Sequence, residues 1–375
     1  MRLLQVTTIP ETIEAFLLPF AQRFRARGWR VDAAARDASS NEACRASFDA
    51  VHDVNWSRNP LDPTNLKAAK QVRAIVTTGT YDLVHVHTPV AAFVTRYALR
   101  HSVKPKVLYT AHGFHFYAGG NPVKNAVYRN LEKVAGRWTD GLVVMNGEDQ
   151  RAALEHKIVP AEKLTFVPGI GIDIEQMRSN AAKGPAREQV RASLGVPQDE
   201  ALFIMVAEFI ERKRHVDAVR AFAQAAERLR AHLLLVGAGP ESARVQALIE
   251  ELGLSSRVHL LGYRRDVPSL IAASDALILV SSQEGLPRSI MEGMALGTPV
   301  IGTSIRGVTD LLDEGAGWLV PLGDVGAIAA AMVELGADAA LRSRVAAAAR
   351  QRVVRYSTAE VMDAYDKVYA ELLHP

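Results

Sequence analysis

Short aliphatic and β-branched runs alternate with longer helical stretches along the whole chain, and this rhythm constrains the fold more than any other feature. In the first half the strand-like runs are 3–7, 30–35, 83–87, 106–111, 141–145 and 164–167. Helical stretches at 11–27, 64–77, 91–101, 121–138 and 148–155 lie between them. Apolar strands alternating with amphipathic helices call for a parallel sheet covered on both faces. The expected fold class is therefore α/β.

The rhythm breaks between Pro168 and Asp199. Pro168-Gly169-Ile170-Gly171-Ile172-Asp173 is followed there by a polar stretch containing Lys183-Gly184-Pro185. It then restarts, with strands at 202–207, 232–236, 257–260, 276–280, 299–301 and 318–320. The helices of this half are 216–230, 242–252, 288–296, 325–335 and 341–355. A chain of 375 residues exceeds one ordinary core, so two domains in tandem are expected. Their bounds are 1–170 and 201–357, with a linker region at 171–200. A last helix, in the segment 358–375, is expected to pack back on the first domain. Folds of this class bind ligands at strand carboxyl ends, which places a site in a cleft between facing domains.

Composition narrows the classes. A single cysteine, Cys44, excludes a disulfide framework and any multi-cysteine zinc or iron–sulfur site. No apolar run approaches the length of a membrane span, and the first residues carry no stretch of secretory-signal length. A reduced, cytoplasmic protein is expected. The formal net charge of +3 hides an asymmetry: up to Pro168 there are 22 basic and 15 acidic residues, and beyond it 22 and 26. A basic half suits an anionic counterpart such as a membrane surface or a phosphorylated acceptor, although an indifferent surface imbalance gives the same count. Without a basic run or aromatic–basic interleaving, nucleic acid is not an expected partner.

The segment Ser281-Ser282-Gln283-Glu284-Gly285-Leu286-Pro287-Arg288-Ser289-Ile290-Met291-Glu292 carries the most chemistry. A strand ends in a polar loop, and Pro287 is expected in the first turn of the following helix. The amino end of a helix offers free N–H groups and a positive dipole to a phosphate. Glu292, just over one turn inside, is placed to accept hydrogen bonds from ribose hydroxyls, and Glu284 lies in the loop where it meets a sugar. Taken alone, Glu292 reads equally as a residue that caps or solvates the helix.

Two glutamates eight apart in this setting, followed by Ala295-Leu296-Gly297-Thr298-Pro299-Val300-Ile301, resemble the signature of the family-four retaining glycosyltransferases. The resemblance extends to Val236-Gly237-Ala238-Gly239-Pro240-Glu241, Leu261-Gly262-Tyr263-Arg264-Arg265-Asp266-Val267 and Gly317-Trp318-Leu319-Val320-Pro321-Leu322-Gly323-Asp324. In the first half it includes Asp82-Leu83-Val84-His85-Val86-His87 and Tyr109-Thr110-Ala111-His112-Gly113-Phe114-His115-Phe116. The sequence is most similar in look to members that add sugars during exopolysaccharide, capsule or O-antigen assembly.

The resemblance implies the GT-B fold, two tandem Rossmann-like domains with parallel sheets facing across a cleft. It implies transfer of a sugar from a nucleotide donor, expected to be a UDP-sugar, with retention at the anomeric carbon. The acceptor implied is a glycan or polyprenyl-linked sugar. His112 and Glu284 match the residues at the donor sugar, and Glu292 matches the ribose-binding glutamate. Lys213 matches the residue that neutralises the diphosphate, with Arg212 beside it, while Gly285, Leu286, Pro287, Arg288 and Ser289 complete the donor-binding set. The acceptor side is expected to use the basic helix bearing Lys124, Tyr128, Arg129, Lys133 and Arg137, together with Phe16, Phe20, Arg23 and Arg27. Positions 16, 20, 23 and 27 share one helix face, and apolar residues at that spacing are more often core than membrane contact, so docking at the inner face of the cell membrane stands open beside a purely structural role.

Two positions depart from the family's pattern. Ala207-Glu208 stands where a Gly-Arg pair is common, so either Glu208 has another task or Arg212 or Arg214 supplies the missing charge. Thr7-Thr8-Ile9-Pro10 replaces a Gly-Gly loop after the first strand. His85, His87, His112 and His115 invite a metal, but no carboxylate or cysteine accompanies them at ligand spacing and no Asp-x-Asp motif occurs. No metal and no cofactor beyond the nucleotide-sugar co-substrate are expected. Gly-x-Gly-x-x-Gly, a Walker lysine loop and Gly-x-Ser-x-Gly are all absent from the sequence. The competing readings are a sugar-nucleotide 2-epimerase of the same fold and a non-catalytic nucleotide-sugar-binding scaffold subunit.

Overall fold

The computed structural model describes residues 1–57, 59 and 62–374. Pro375, the last residue of the segment 358–375, lies outside the described residues. The chain divides into two compact units, Met1–Ile170 with Val361–Pro375, and Gly171–Glu360.

Unit 1 holds a seven-stranded, all-parallel sheet of order β3-β2-β1-β4-β5-β6-β7. Its strands are β1 (Arg2–Val6), β2 (Arg30–Ala35), β3 (Ala50–Asp53), β4 (Leu83–Val86), β5 (Lys106–Ala111), β6 (Gly141–Val144) and β7 (Leu164–Phe166). Strand side chains alternate between faces, and the two faces feed separate cores. Leu4, Val6, Val84, Val86, Tyr109 and Val144 enter one core. Leu3, Val31, Leu83, Leu108 and Val143 enter the other, where Val361, Met362, Tyr365, Val368 and Tyr369 of the helix Thr358–Leu373 pack against Phe20 and Phe24. β3 escapes sequence detection because it is a short edge strand, paired on one side only and half-buried.

The continuous helix expected at 11–27 forms as two, Pro10–Phe16 and Leu18–Ala26. Pro19, without an N–H, removes a bond that a continuous helix needs and fits the first turn of the second. That region also corrects an expectation. Phe20 is fully buried, Arg23 pairs with Asp363 and Asp366, and Arg27 holds Asp366 at 2.6 Å. This helix face meets the C-terminal helix, so it is not a free acceptor or membrane surface.

Unit 2 holds a six-stranded, all-parallel sheet of order β10-β9-β8-β11-β12-β13. These strands are β8 (Ala201–Val206), β9 (Ala231–Val236), β10 (Val258–Gly262), β11 (Ala276–Leu279), β12 (Val300–Thr303) and β13 (Trp318–Val320). In both sheets the strand order reverses beside the first strand of the unit, between β1 and β4 and between β8 and β11. Such switch points open a crevice at the strand carboxyl ends. The stretch 171–200, read as a linker, contains the helices Ile174–Lys183 and Arg187–Ser193 and belongs to unit 2. Arg178 donates to the Ala295 carbonyl (3.2 Å) and Arg187 to Asp275 (2.8 Å), which fastens both helices to that unit.

Candidate active site

In unit 2, β11 runs into the loop 280–287 and then the nine-residue helix Arg288–Leu296. Pro287 occupies the N-cap with extended backbone, one position earlier than the first-turn placement expected from sequence. It leaves the first helical N–H groups to Arg288 and its successors. Glu284 is buried, and its carboxylate receives Lys213 Nζ at 2.5 Å, with a guanidinium nitrogen of Arg212 at 3.8 Å. Arg212 also donates to the Gln283 carbonyl (3.2 Å), and the Ser282 N–H donates to the Arg212 carbonyl (2.8 Å). The loop after β8 and the loop after β11 are thus stitched together, and Lys213, Arg212 and Glu284 form one charged cluster. Arg214 turns elsewhere and pairs with Asp217 at 2.5 Å.

Glu292 is half-buried on the helix Arg288–Leu296, where Arg288 Nε donates to it at 3.0 Å. Burial raises its pKa, and the Arg288 charge opposes that shift. Gly285, Leu286 and Ser289 are half-buried, Pro287 is buried and Arg288 is exposed. Glu208 is exposed at the end of β8. Close backbone approaches shape the cluster. A Cβ on Gly237 would lie 2.0 Å from the Ala207 carbonyl oxygen, and one on Gly307 only 1.8 Å from the Gly285 carbonyl oxygen.

In unit 1, His112 follows β5 and is half-buried, its ring stacked on Phe16 with centroids 6.1 Å apart. Its Nε2 lies 3.2 Å from Nδ1 of the buried His87, whose Nε2 lies 2.7 Å from Gln5 Oε1. His85 contacts Tyr369 Oη and Thr110 Oγ1, both at 2.7 Å. Burial lowers the pKa of His112 to about 4 and holds His85 and His87 well below the ordinary imidazole value. At neutral pH all three rings are uncharged. His115 is exposed and meets the Tyr128 ring edge-on (5.1 Å), apart from the others. Among the described residues, no group of three or more His, Cys, Asp or Glu side chains has a metal-holding arrangement.

Two family models match the chain, "Glycosyltransferase Family 4" over residues 13–176 and "Glycosyl transferases group 1" over residues 186–352. EpsD of Bacillus subtilis is 31% identical over 98% of this chain and 96% of its own length. The chain belongs to glycosyltransferase family 4. An Escherichia coli relative, UDP-Gal:alpha-D-GlcNAc-diphosphoundecaprenol alpha-1,3-galactosyltransferase, is 30% identical over 70% of this chain and 68% of its own length. Among solved structures, Anabaena HepE in complex with UDP shares the fold with a TM-score of 0.79, at 21% identity, covering 99% of this chain and 100% of that one. The fold is GT-B, with two Rossmann-like units.

Within this glycosyltransferase, the structure gathers Lys213, Arg212 and Glu284 in one cluster and sets Glu292 on the helix that follows. His112 belongs to unit 1 and is embedded in a hydrogen-bonded group that motif reading did not assemble. Gln5, His85 and Thr110 occupy alternate positions of β1, β4 and β5, and register pairs Gln5 directly with His85. The alternation was the available signal, since polar residues interrupt an otherwise apolar face. Arg306 was also missed. It is buried, and its Nε donates to the Glu284 carbonyl at 3.1 Å, which fixes the backbone beneath the site. A lone arginine in a loop carries no motif.

Proposed function

We propose that this glycosyltransferase moves a sugar from a UDP-sugar to a lipid-linked glycan acceptor during cell-surface polysaccharide assembly, with retention of anomeric configuration. The observation that carries the reading is the Lys213–Glu284–Arg212 cluster beside the amino end of the helix Arg288–Leu296. A departing nucleoside diphosphate gains negative charge, and fixed cations beside the positive end of a helix dipole stabilise that charge as it develops. Lys213 would exchange its contact with Glu284 for the diphosphate, freeing the carboxylate for the sugar. Arg212 supplies the second cation that Glu208 does not, whereas Arg214 is committed to Asp217. Glu292 accepts from the ribose hydroxyls, and His112 is assigned to the donor sugar on its match to the family's histidine.

A retaining glycosidase uses two closely spaced carboxylates, one of them as nucleophile. The proposed route here is front-face, with the leaving phosphate oxygen taking the proton of the acceptor hydroxyl. The enzyme then contributes positioning and charge stabilisation. No metal or cofactor takes part in this scheme. The donor and acceptor named for the E. coli relative support a UDP-sugar and an undecaprenyl-diphosphate sugar as first substrates to try.

The test is a panel of UDP-sugars binding to the purified enzyme, followed by transfer to polyprenyl-diphosphate sugars and NMR of the new linkage. The expected product keeps the donor's anomeric configuration and forms equally fast in EDTA. Donor binding without transfer to any such acceptor overturns the reading in favour of a scaffold. Conversion of the UDP-sugar by the enzyme alone overturns it in favour of an epimerase.

A further inference from the structure

Among the described residues, His87 is the side chain hydrogen-bonded to His112, and nothing in the proposed reaction requires it. It belongs to a continuous series of polar groups, buried beyond the half-buried His112, running from His112 through His87, Gln5, Tyr369, His85 and Thr110 to Tyr365. The series begins at the end of β5 and finishes on the C-terminal helix, and all its members lie in unit 1.

The orientation of the Gln5 amide sets the order of donors and acceptors in this series. Gln5 Nε2 donates to Tyr369 Oη at 3.3 Å, which leaves Gln5 Oε1 facing His87 Nε2 at 2.7 Å. An amide oxygen only accepts, so His87 Nε2 carries the proton. A neutral imidazole has one N–H, so His87 Nδ1 is a bare acceptor. The 3.2 Å contact is then made by a proton on His112 Nε2. Downstream the order closes without conflict. Tyr369, having accepted from Gln5, donates to His85 Nδ1, His85 Nε2 donates to Thr110, and Thr110 donates to Tyr365 at 3.0 Å.

We infer that His87 is a positioning residue, anchored through Gln5 to Tyr369 of the C-terminal helix, that holds His112 in the Nε2–H tautomer. His112 Nδ1 is then a lone pair, and the ring meets its ligand as an acceptor, suited to a sugar hydroxyl rather than to a phosphate oxygen. Phe16 stacked on the ring limits its rotation, so tautomer and orientation are set together. The ligand side of this inference rests on the proposed donor-sugar role of His112. The tautomer does not.

The experiment is long-range proton–nitrogen correlation on the full chain with 15N-labelled histidine rings, with His112→Gln used to assign the signal. Wild-type His112 is expected to show an unprotonated Nδ1 and a protonated Nε2. A protonated Nδ1, or nitrogen shifts averaged between tautomers, overturns the assignment. Tyr369→Phe keeps the ring in the core but removes the hydroxyl that orients Gln5. It is expected to average the His112 shifts and to lower kcat about tenfold, with donor KM within twofold. Gln5→Leu is expected to do the same, and the wild-type spectrum remains decisive if Gln5→Leu does not fold. Unchanged His112 shifts in a folded Tyr369→Phe protein overturn the link to the C-terminal helix. Wild-type turnover in His112→Ala, with the Nε2–H signature intact in the parent, instead rejects the donor-sugar role and leaves the tautomer assignment standing.

Discussion

Glu292 is subject to two opposed demands. Burial raises its pKa, while the proposed binding of ribose hydroxyls calls for the ionised carboxylate. Arg288 at 3.0 Å keeps that form accessible. Hydrogen bonds to a charged group are worth about 1.5–3 kcal/mol, so Glu292→Gln should raise donor KM by about ten- to hundredfold with little change in kcat. In the wild type, donor KM should begin to rise on acidification above the ordinary carboxylate range, and this acid limb should vanish in Glu292→Gln. Initial-rate kinetics against pH measures both. The imidazoles affect stability instead. His85, His87 and His112 have lowered pKa values in the folded chain, so below about pH 6.5 the unfolded chain binds protons that the folded chain refuses. Their stabilising effect is complete above that pH and is lost as pH falls towards about 4, the His112 value. The melting temperature should drop by at least ~3 °C between pH 7 and pH 5, and a flat profile by scanning fluorimetry would contradict the burial argument. The placing of Glu284 in the loop and of Glu292 inside the following helix was legible in the sequence, because their spacing and loop–helix setting repeat a recognisable pattern. Gln5, Thr110 and Arg306 were not, because their roles depend on partners far away in the chain.

At the level of elements, periodicity located most strands and helices and failed where local chemistry or tertiary contacts decide. Pro19 splits a helix that the apolar pattern runs straight through. The helices Ile174–Lys183 and Arg187–Ser193 are hidden by Lys183-Gly184-Pro185, which looks like a linker but joins two helices fastened to unit 2. The loop 280–287 depends on a contact of the same non-local kind. Gly307, at φ 75°, brings its Cα beneath the Gly285 carbonyl, and an added Cβ would lie 1.8 Å from that oxygen. The left-handed backbone alone costs a β-carbon-bearing residue about 1–2 kcal/mol, and the collision must displace the loop 280–287. Gly307→Ala should therefore lower the melting temperature by several degrees, about 2–4 °C per kcal/mol. It should also weaken UDP binding at least tenfold, read by calorimetry. Gly315→Ala is the control. That residue has a similar φ of 78° but open space around it, so it should destabilise without loss of UDP affinity.

Over the whole molecule, the fold redistributes the charge. The C-terminal helix brings acidic residues to the basic half, so unit 1 holds 23 basic and 18 acidic residues and unit 2 holds 21 and 23. Unit 1 nevertheless keeps a net +5, and part of it surrounds an apolar stripe. On the helix Pro122–Gly136, Val123, Val127 and Val134 are 72%, 53% and 41% exposed. Positions four and eleven residues apart share a helix face, so these valines form one solvent-facing row. Lys124 and Lys133 flank the row, both exposed, and Arg137 stands at its end. No described helix is long and apolar enough to cross a membrane. An exposed apolar row between lysines suits the plane of an anionic bilayer surface instead, where apolar burial and charge attraction act together. Each basic residue near such a surface contributes about 1 kcal/mol. Replacing Lys124 and Lys133 by glutamate should therefore lower partitioning to anionic vesicles by about thirtyfold or more, while Val127→Ser should weaken it less and independently of salt. Flotation at low and high ionic strength separates the two contributions. Neither set of changes touches the charged cluster of unit 2, so UDP affinity measured by calorimetry should stay at the wild-type value. A wild-type enzyme that fails to float with anionic vesicles at low salt would reject this face as a membrane contact and leave the donor chemistry unaffected.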